Sequence, residues 1–316
     1  MPKLSRKRII LLVICLAIVI PIILYVATPK LIVKRLIGLQ RKAAKLAVKS
    51  AFVGDHIIVY SEGGTGETIL MVHGFGGNKD NWLRFAKFFT PQYHVIIPDL
   101  PGYGESTRLQ DARYNIMAQV ERLNAFCKGL GISQFHMVGN SMGGNISGNY
   151  AAKYPEMVKT LALFASSGVK SPIQSELERL LQKGFNPVVV HSQADFNRYL
   201  KFIFVKPPFI PPIAKRVFAE EAAVEKSKNE KLFQDMLMDD LELESNLSKI
   251  PQPTFILWGD TDRVLDVSSV SIFEKIGNHK KVIMKDCGHV PMIERPEETA
   301  SLYLDFLKSS YLNRTK

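Results

Sequence analysis

Val138-Gly139-Asn140-Ser141-Met142-Gly143-Gly144 stands between an apolar run, Phe135 to Val138, and a stretch of small residues that reads as a helix. That setting gives Gly-x-Ser-x-Gly a mechanical meaning. A sharp strand-to-helix turn lifts the serine hydroxyl clear of the sheet, and glycines on either side leave room for the bent backbone. In isolation the motif is weak, since ordinary glycine and serine usage produces roughly 0.1 chance occurrences in a chain this long. Between a strand and a helix it marks Ser141 as a candidate nucleophile.

Outward from that turn, short β-branched runs alternate with longer helical patterns from about residue 52 onward. Candidate strands cover 56–60, 68–72, 93–98, 135–139, 160–165, 253–258 and 280–285. Candidate helices cover about 80–89, 113–129, 142–153, 266–276 and 295–309. Such alternation argues for an α/β fold whose mostly parallel sheet is covered on both faces. The rhythm breaks between about 169 and 249, where helical patches, a proline cluster (Pro207, Pro208, Pro211, Pro212) and aromatics take over. It resumes at Thr254, so the stretch reads as a helical insertion. Its aromatics (Phe185, Phe196, Phe202, Phe204, Phe209, Phe218) fit either an acyl pocket or the insertion's own core.

A serine hydroxyl needs a base, and the base needs an orienting acid. In a fold of this kind they follow the nucleophile in the order acid, then histidine. His279 and His289 lie far beyond Ser141 near the last strand. His279 sits in a charged turn and reads as a surface residue; His289 follows Cys287-Gly288 at the edge where loops gather, and reads as the base. The acid belongs in the loop after Thr254–Trp258, where spacing does not choose among Asp260, Asp262 and Asp266. Asp260 could shape a turn, and Asp266 could cap the next helix. The oxyanion of an acyl-transfer intermediate needs N–H donors. The Met142 amide, directly after the nucleophile, is one candidate. Phe75, in His73-Gly74-Phe75-Gly76-Gly77 after strand 68–72, is the other. His73 reads as a brace for that loop.

Gly63-Gly64-Thr65-Gly66 lacks the lysine of a phosphate-binding loop and reads as a turn. No His/Cys/Glu cluster has metal-ligand spacing, so neither metal nor cofactor is expected. Three cysteines, one of them inside an apolar run, do not make a disulfide framework.

The 316 residues carry 41 Lys+Arg and 30 Asp+Glu, a formal net charge of +11. Averaged over the chain, that balance invites a nucleic-acid partner. Residues 1–50, however, hold eleven basic residues and no acidic one, so the excess lies there and the remaining body is neutral. A basic nucleic-acid groove on the body is therefore disfavoured. Ile9 to Ala27 is 19 residues without a charge. As a helix it reaches roughly 29 Å at about 1.5 Å per residue, close to the hydrocarbon thickness of a bilayer. A cleaved signal peptide is the rival, but its apolar region is shorter, about 7–15 residues. Residues 1–29 are thus expected to be a single-pass membrane anchor. Residues 31–49 read as a basic amphipathic helix, with Ile32, Leu36, Leu39, Ala43 and Ala47 forming an apolar stripe for the lipid headgroup region. Basic residues on both sides of the span leave the side occupied by the body undetermined. The expected organisation is an anchor over 1–29, a juxtamembrane helix over 30–50, and a body over 51–316. On that division, removing residues 1–50 leaves hydrolysis of a soluble short-chain ester intact.

His73-Gly74-Phe75-Gly76-Gly77-Asn78-Lys79-Asp80, Pro98-Asp99-Leu100-Pro101-Gly102-Tyr103-Gly104, Gly139-Asn140-Ser141-Met142-Gly143-Gly144, Trp258-Gly259-Asp260-Thr261-Asp262 and Cys287-Gly288-His289 resemble the α/β-hydrolase superfamily. With the single N-terminal span, they resemble its membrane-anchored monoacylglycerol lipases of the abhydrolase-domain-6 type and related bacterial lipases. The resemblance covers about residues 55–310. It implies an α/β-hydrolase fold with a helical cap between the sixth and seventh core strands, and the last residue of the Trp-Gly-x-x-Asp pattern, Asp262, as the acid. It also implies a serine hydrolase cleaving lipid esters through an acyl-enzyme on Ser141, with membrane lipids meeting residues 1–50. Two other classes compete. Gly-Asn-Ser-Met-Gly-Gly also resembles carbon–carbon bond hydrolases of aromatic ring-cleavage products, although their usual Gly-Pro-Gly after His-Gly is missing here. A non-catalytic ligand receptor or scaffold on the same fold is the third.

Overall fold

Along Ile69, Leu70, Met71 and Val72 every side chain is buried, and successive ones enter opposite layers: Leu70 and Val72 one hydrophobic cluster, Ile69 and Met71 the other. Phe255–Trp258 divides in the same way, Ile256 and Trp258 on one side and Phe255 and Leu257 on the other. A strand that is apolar at every position with period-two sorting belongs to a sheet covered on both faces. The computed structural model, which describes residues 5–7, 10, 14, 15, 17 and 27–312, contains such a sheet.

In chain order the first half comprises α1 (Pro29–Ala43), β1 (Ala47–Val53), β2 (His56–Gly63), β3 (Thr68–Val72), α2 (Leu83–Ala86), β4 (His94–Pro98), α3 (Ile116–Gly129), β5 (Phe135–Asn140), α4 (Met142–Lys153) and β6 (Val158–Phe164). Then follow α5 (Glu176–Gln182), α6 (Gln193–Ile203), α7 (Pro212–Val224), α8 (Lys226–Leu237) and α9 (Glu242–Asn246), all between β6 and the next strand. The chain closes with β7 (Thr254–Gly259), α10 (Val270–Phe273), β8 (His279–Met284), α11 (Pro291–Glu294) and α12 (Pro296–Leu312). The eight strands lie in the order β1-β2-β4-β3-β5-β6-β7-β8, with β1, β2 and β4 antiparallel neighbours and every later pairing parallel. The chain reverses direction across the sheet at β3 and β5, and in open α/β sheets ligands bind at such a point, beyond the carboxyl ends of the strands. The helical insertion α5–α9 sits over that edge.

The beginning of the chain departs from its sequence reading. The helix expected over 31–49 ends at Ala43, and residues 47–53 instead form β1, paired with β2 from Ala47↔Glu62 to Val53↔His56. Pro29 starts α1 at the position where its missing N–H costs nothing, and Arg41 and Lys42 oppose the dipole in its last turn. The stripe assigned to lipid is also turned differently. Val33, not Leu39, is buried, packed against Ala214 and Val217 of α7, while Leu39 is 64% exposed. A cut at residue 50 would therefore remove most of β1 and a helix that packs on the cap, so residues 1–50 are not a separable tether. The span expected over Ile9 to Ala27 lies largely outside the described residues. Among those described, no helix is long and apolar enough to cross a membrane.

Candidate active site

Ser141 takes up φ 56° and ψ −122°, a conformation that strains a non-glycine residue. The neighbours explain how the chain turns so tightly. A β-carbon on Gly139 would lie 2.1 Å from the Gly143 carbonyl oxygen, and one on Gly143 would lie 2.3 Å from the Val72 oxygen. Both positions admit only hydrogen. The turn thus forms between β5 and α4, as the flanking sequence indicates, with Ser141 N–H donating to the Phe164 carbonyl at 3.0 Å.

Three other loops reach the same edge. After β8, His289 Nδ1 lies 2.8 Å from Asp262 Oδ2, and both side chains are almost wholly buried. The other Asp262 oxygen accepts from Val264 and Leu265 N–H at 2.8 and 3.0 Å, which holds the carboxylate in place. The alternatives are occupied elsewhere. Asp260 is exposed and accepts from the Thr261 hydroxyl, while Asp266 caps the short helix 267–269 by accepting from Ser268 N–H. His279, the other histidine weighed, does not lie in the turn expected of it: it opens β8 opposite Thr254, half-buried, with Nδ1 donating to the Ile276 carbonyl at 2.6 Å. Asn140, immediately before Ser141, donates from Nδ2 to both the Phe164 and His289 carbonyls, so the serine turn and the histidine loop share a bond.

The loop after β3 passes close to Ser141: a β-carbon on Gly74 would be 3.1 Å from the serine Cβ. Phe75 follows, its ring edge-on to Tyr103 and to Phe233 of α8 at 6.3 and 5.2 Å between centroids. Met142 is the first residue of α4, a position whose N–H has no acceptor within its own helix. Its sulfur accepts from the Tyr103 hydroxyl at 3.4 Å. His73 is fully buried and joins two loops: Nδ1 donates to the Gly74 carbonyl and Nε2 accepts from Leu100 N–H at 3.0 Å. Those roles require a neutral ring, and burial pushes its pKa down accordingly.

The sequence reading missed several groups around this edge. Glu294 accepts from the N–H groups of Gly288, Val205 and Lys206, fastening the histidine loop to the cap. Lys79, Asp99 and Glu105 form an ion cluster beneath the Phe75 loop. Both Lys79 and Asp99 fall inside motif strings quoted above, but pairs 20 residues apart carry no local signal. Of the cap aromatics, Phe196, Phe202 and Phe204 are buried in a hydrophobic cluster and Phe218 packs against it, whereas Phe209 is 80% exposed. The cap ring that meets the Phe75 loop is Phe233, which had not been singled out. An open groove of about 600 Å³ between α6 and α7 is lined by Gln193, Asn197, Lys215 and Glu220 among others, and by none of Ser141, Asp262 or His289.

Residues 67–296 match the family model described as the alpha/beta hydrolase fold. Lipase 1 of Psychrobacter immobilis is 40% identical over 86% of this chain and 88% of its own length. The monoacylglycerol lipase abhd6-B of Xenopus laevis is 32% identical over 85% of this chain and 84% of its own. A crystal structure of a membrane phospholipase A, 41% identical, superposes with a TM-score of 0.89 over 97% of this chain and 99% of that one. The 2-hydroxy-6-oxo-6-phenylhexa-2,4-dienoate hydrolase of a Rhodococcus strain, at 21% identity and TM-score 0.74, shares the fold. From a matched model spanning most of the folded body, and relatives aligned over nearly their full length, it follows that the chain belongs to the alpha/beta hydrolase family and is an ester hydrolase.

Proposed function

We propose that the protein is a membrane-held lipase that cleaves monoacylglycerols, or closely related lipid esters, through an acyl-enzyme on Ser141. His289 accepts the Ser141 proton as Oγ adds to the ester carbonyl, and Asp262 holds the imidazole in the tautomer that can do so. The negative oxygen of the tetrahedral adduct takes N–H bonds from Phe75 and Met142. Its collapse breaks the bond to the alcohol oxygen, which leaves with the proton from His289. Water then adds to the acyl group while His289 takes its proton, and Ser141 recovers that proton as the fatty acid departs. The observation that carries this reading is the 2.8 Å His289–Asp262 pair at the sheet edge where the strained Ser141 turn stands. Relatives named as lipases and monoacylglycerol lipases support a lipid ester as substrate. The uncharged run Ile9 to Ala27 supports a hold on the membrane that supplies it.

Membranes bearing wild type or Ser141→Ala are incubated with a fluorophosphonate probe and with monoacylglycerols of several chain lengths. Labelling and glycerol release are expected from wild type and from neither in the variant. A wild type that does not label removes the serine mechanism; labelling without glycerol release removes the lipase assignment and leaves another ester as substrate.

A further inference from the structure

We propose that Arg41 and Lys79 are positioning residues for the oxyanion loop, so that helix α1 holds part of the active site in register through an ion network. This inference rests on Phe75 as an oxyanion donor. Phe75 lies between two fastenings of its loop to the loop 98–105. The first is the His73 Nε2 bond from Leu100 N–H at 3.0 Å. The second is Lys79, whose backbone N–H donates to Asp99 Oδ1 at 2.6 Å and whose ammonium meets Asp99 Oδ2 at 2.7 Å. Asp99 Oδ2 also accepts from Glu105 N–H at 2.8 Å, and Lys79 Nζ lies 2.5 Å from Glu105 Oε2. The Lys79 and Asp99 side chains are essentially without solvent exposure. A well-packed apolar pair could supply comparable stability at such a site, so stability alone does not account for it. What two charges with directed hydrogen bonds add is a fixed distance between two backbones, and here one backbone carries Phe75.

Arg41 extends the network to α1. Its guanidinium forks onto Asp80, Nε to Oδ1 at 2.8 Å and Nη2 to Oδ2 at 2.6 Å, and Nη2 stands 3.9 Å from Glu105 Oε2. Isolated surface pairs count for little, but this one is bidentate, only 19% and 17% exposed, and joined to a buried pair. Within the cluster two cations face three carboxylates, and the neighbouring anions raise the pKa of both Arg41 and Lys79. Asp80 itself is locked in a short helix whose capping box uses Asn78 and Asn81. The same α1 packs Val33 on the cap helix α7. One helix therefore touches both the cap and the loop that would receive the oxyanion.

The test uses the full chain in detergent with a soluble short-chain ester. Arg41→Ala should lower kcat by about tenfold or more, since displacements near 1 Å cost about 10²-fold, while KM changes less than about twofold. Arg41→Lys, which keeps the charge but loses the fork, should fall between. Inhibition by an alkyl trifluoromethyl ketone supplies the separating readout. Ser141 Oγ bonds to its carbonyl carbon, the proton passes to His289, and the adduct oxygen becomes the anion. Its Ki should rise by the factor that kcat/KM falls. An unchanged kcat, or a lowered Tm with unchanged kcat and Ki below the transition, would overturn the positioning role. A wild type that fails to react with a fluorophosphonate would remove the underlying mechanism instead. Lys79→Met strands Asp99 and could fail to fold, so Arg41 decides the matter.

Discussion

Ser141, Asp262 and His289, the proposed triad, are 121 and 27 residues apart in sequence, yet two of the three are candidates on local context alone. Ser141 stood out because a strained turn between strand and helix demands glycines that few other arrangements need. His289 stood out because it follows Gly288 at a strand end. The acid did not, because Asp260, Asp262 and Asp266 occupy one loop and each is a good turn or cap residue. Spacing leaves the three open; the resemblance points to Asp262, and in the structure it is the Asp262 carboxylate that meets the His289 imidazole. Asp262→Asn should therefore keep the bond to His289 while favouring the wrong tautomer, lowering kcat by roughly 10³–10⁴ with little change in Tm. Asp260→Asn and Asp266→Asn should stay within about threefold of wild type. Equal losses in all three would return the acid to the undecided state in which spacing leaves it.

At the scale of elements, legibility followed burial. The inner strands β3 to β7 are buried at nearly every position because helices cover both faces, and each was placed within a residue or two of its observed limits. β1 escaped because it is an edge strand: most of Ala47–Val53 is exposed, and its hold on β2 comes from backbone bonds that any side chains permit. The helical cap was visible as a break in the strand rhythm filled by helical patches, and its attachments were not visible at all. Glu294 illustrates why. Its partners Val205 and Lys206 lie 89 and 88 residues away and contribute only their N–H groups, which every non-proline residue possesses. Glu294→Ala leaves three N–H groups without their acceptor, for a loss of about 1–3 kcal/mol in urea unfolding. It should also reduce kcat, because His289 N–H is bonded to Ile203 in the same junction. Glu294→Gln retains an acceptor oxygen and should recover most of both. A kcat unmoved by Glu294→Ala would separate the cap junction from catalysis.

For the whole molecule, the seven cations between residues 30 and 49, part of the excess behind the +11 charge, divide into two groups. Arg41 and Lys49, counted among the first fifty residues, are bound to Asp80 and Glu62 of the body, so they are structural charges. Lys30, Lys34, Arg35, Lys42 and Lys45 are exposed on or beside α1, near the exposed side chains of Leu31 and Leu39. A face of that composition is attracted to anionic lipid by about 1 kcal/mol for each cation close to the surface, and the attraction weakens as salt shortens the Debye length. The basic flank should therefore bind membranes independently of the apolar run before it. Protein lacking residues 1–28 should sediment with phosphatidylserine vesicles at low ionic strength and be released as salt rises, with little binding to neutral vesicles. Lys30→Ala with Arg35→Ala should weaken that partitioning by roughly 30-fold, the equivalent of about 2 kcal/mol, and leave soluble-ester turnover unchanged because both residues are exposed and stand apart from the Asp80, Asp99 and Glu105 carboxylates. Binding that survived high salt would assign the contact to Leu31 and Leu39, whereas loss of all vesicle binding with residues 1–28 would leave the apolar run as the sole hold on the bilayer.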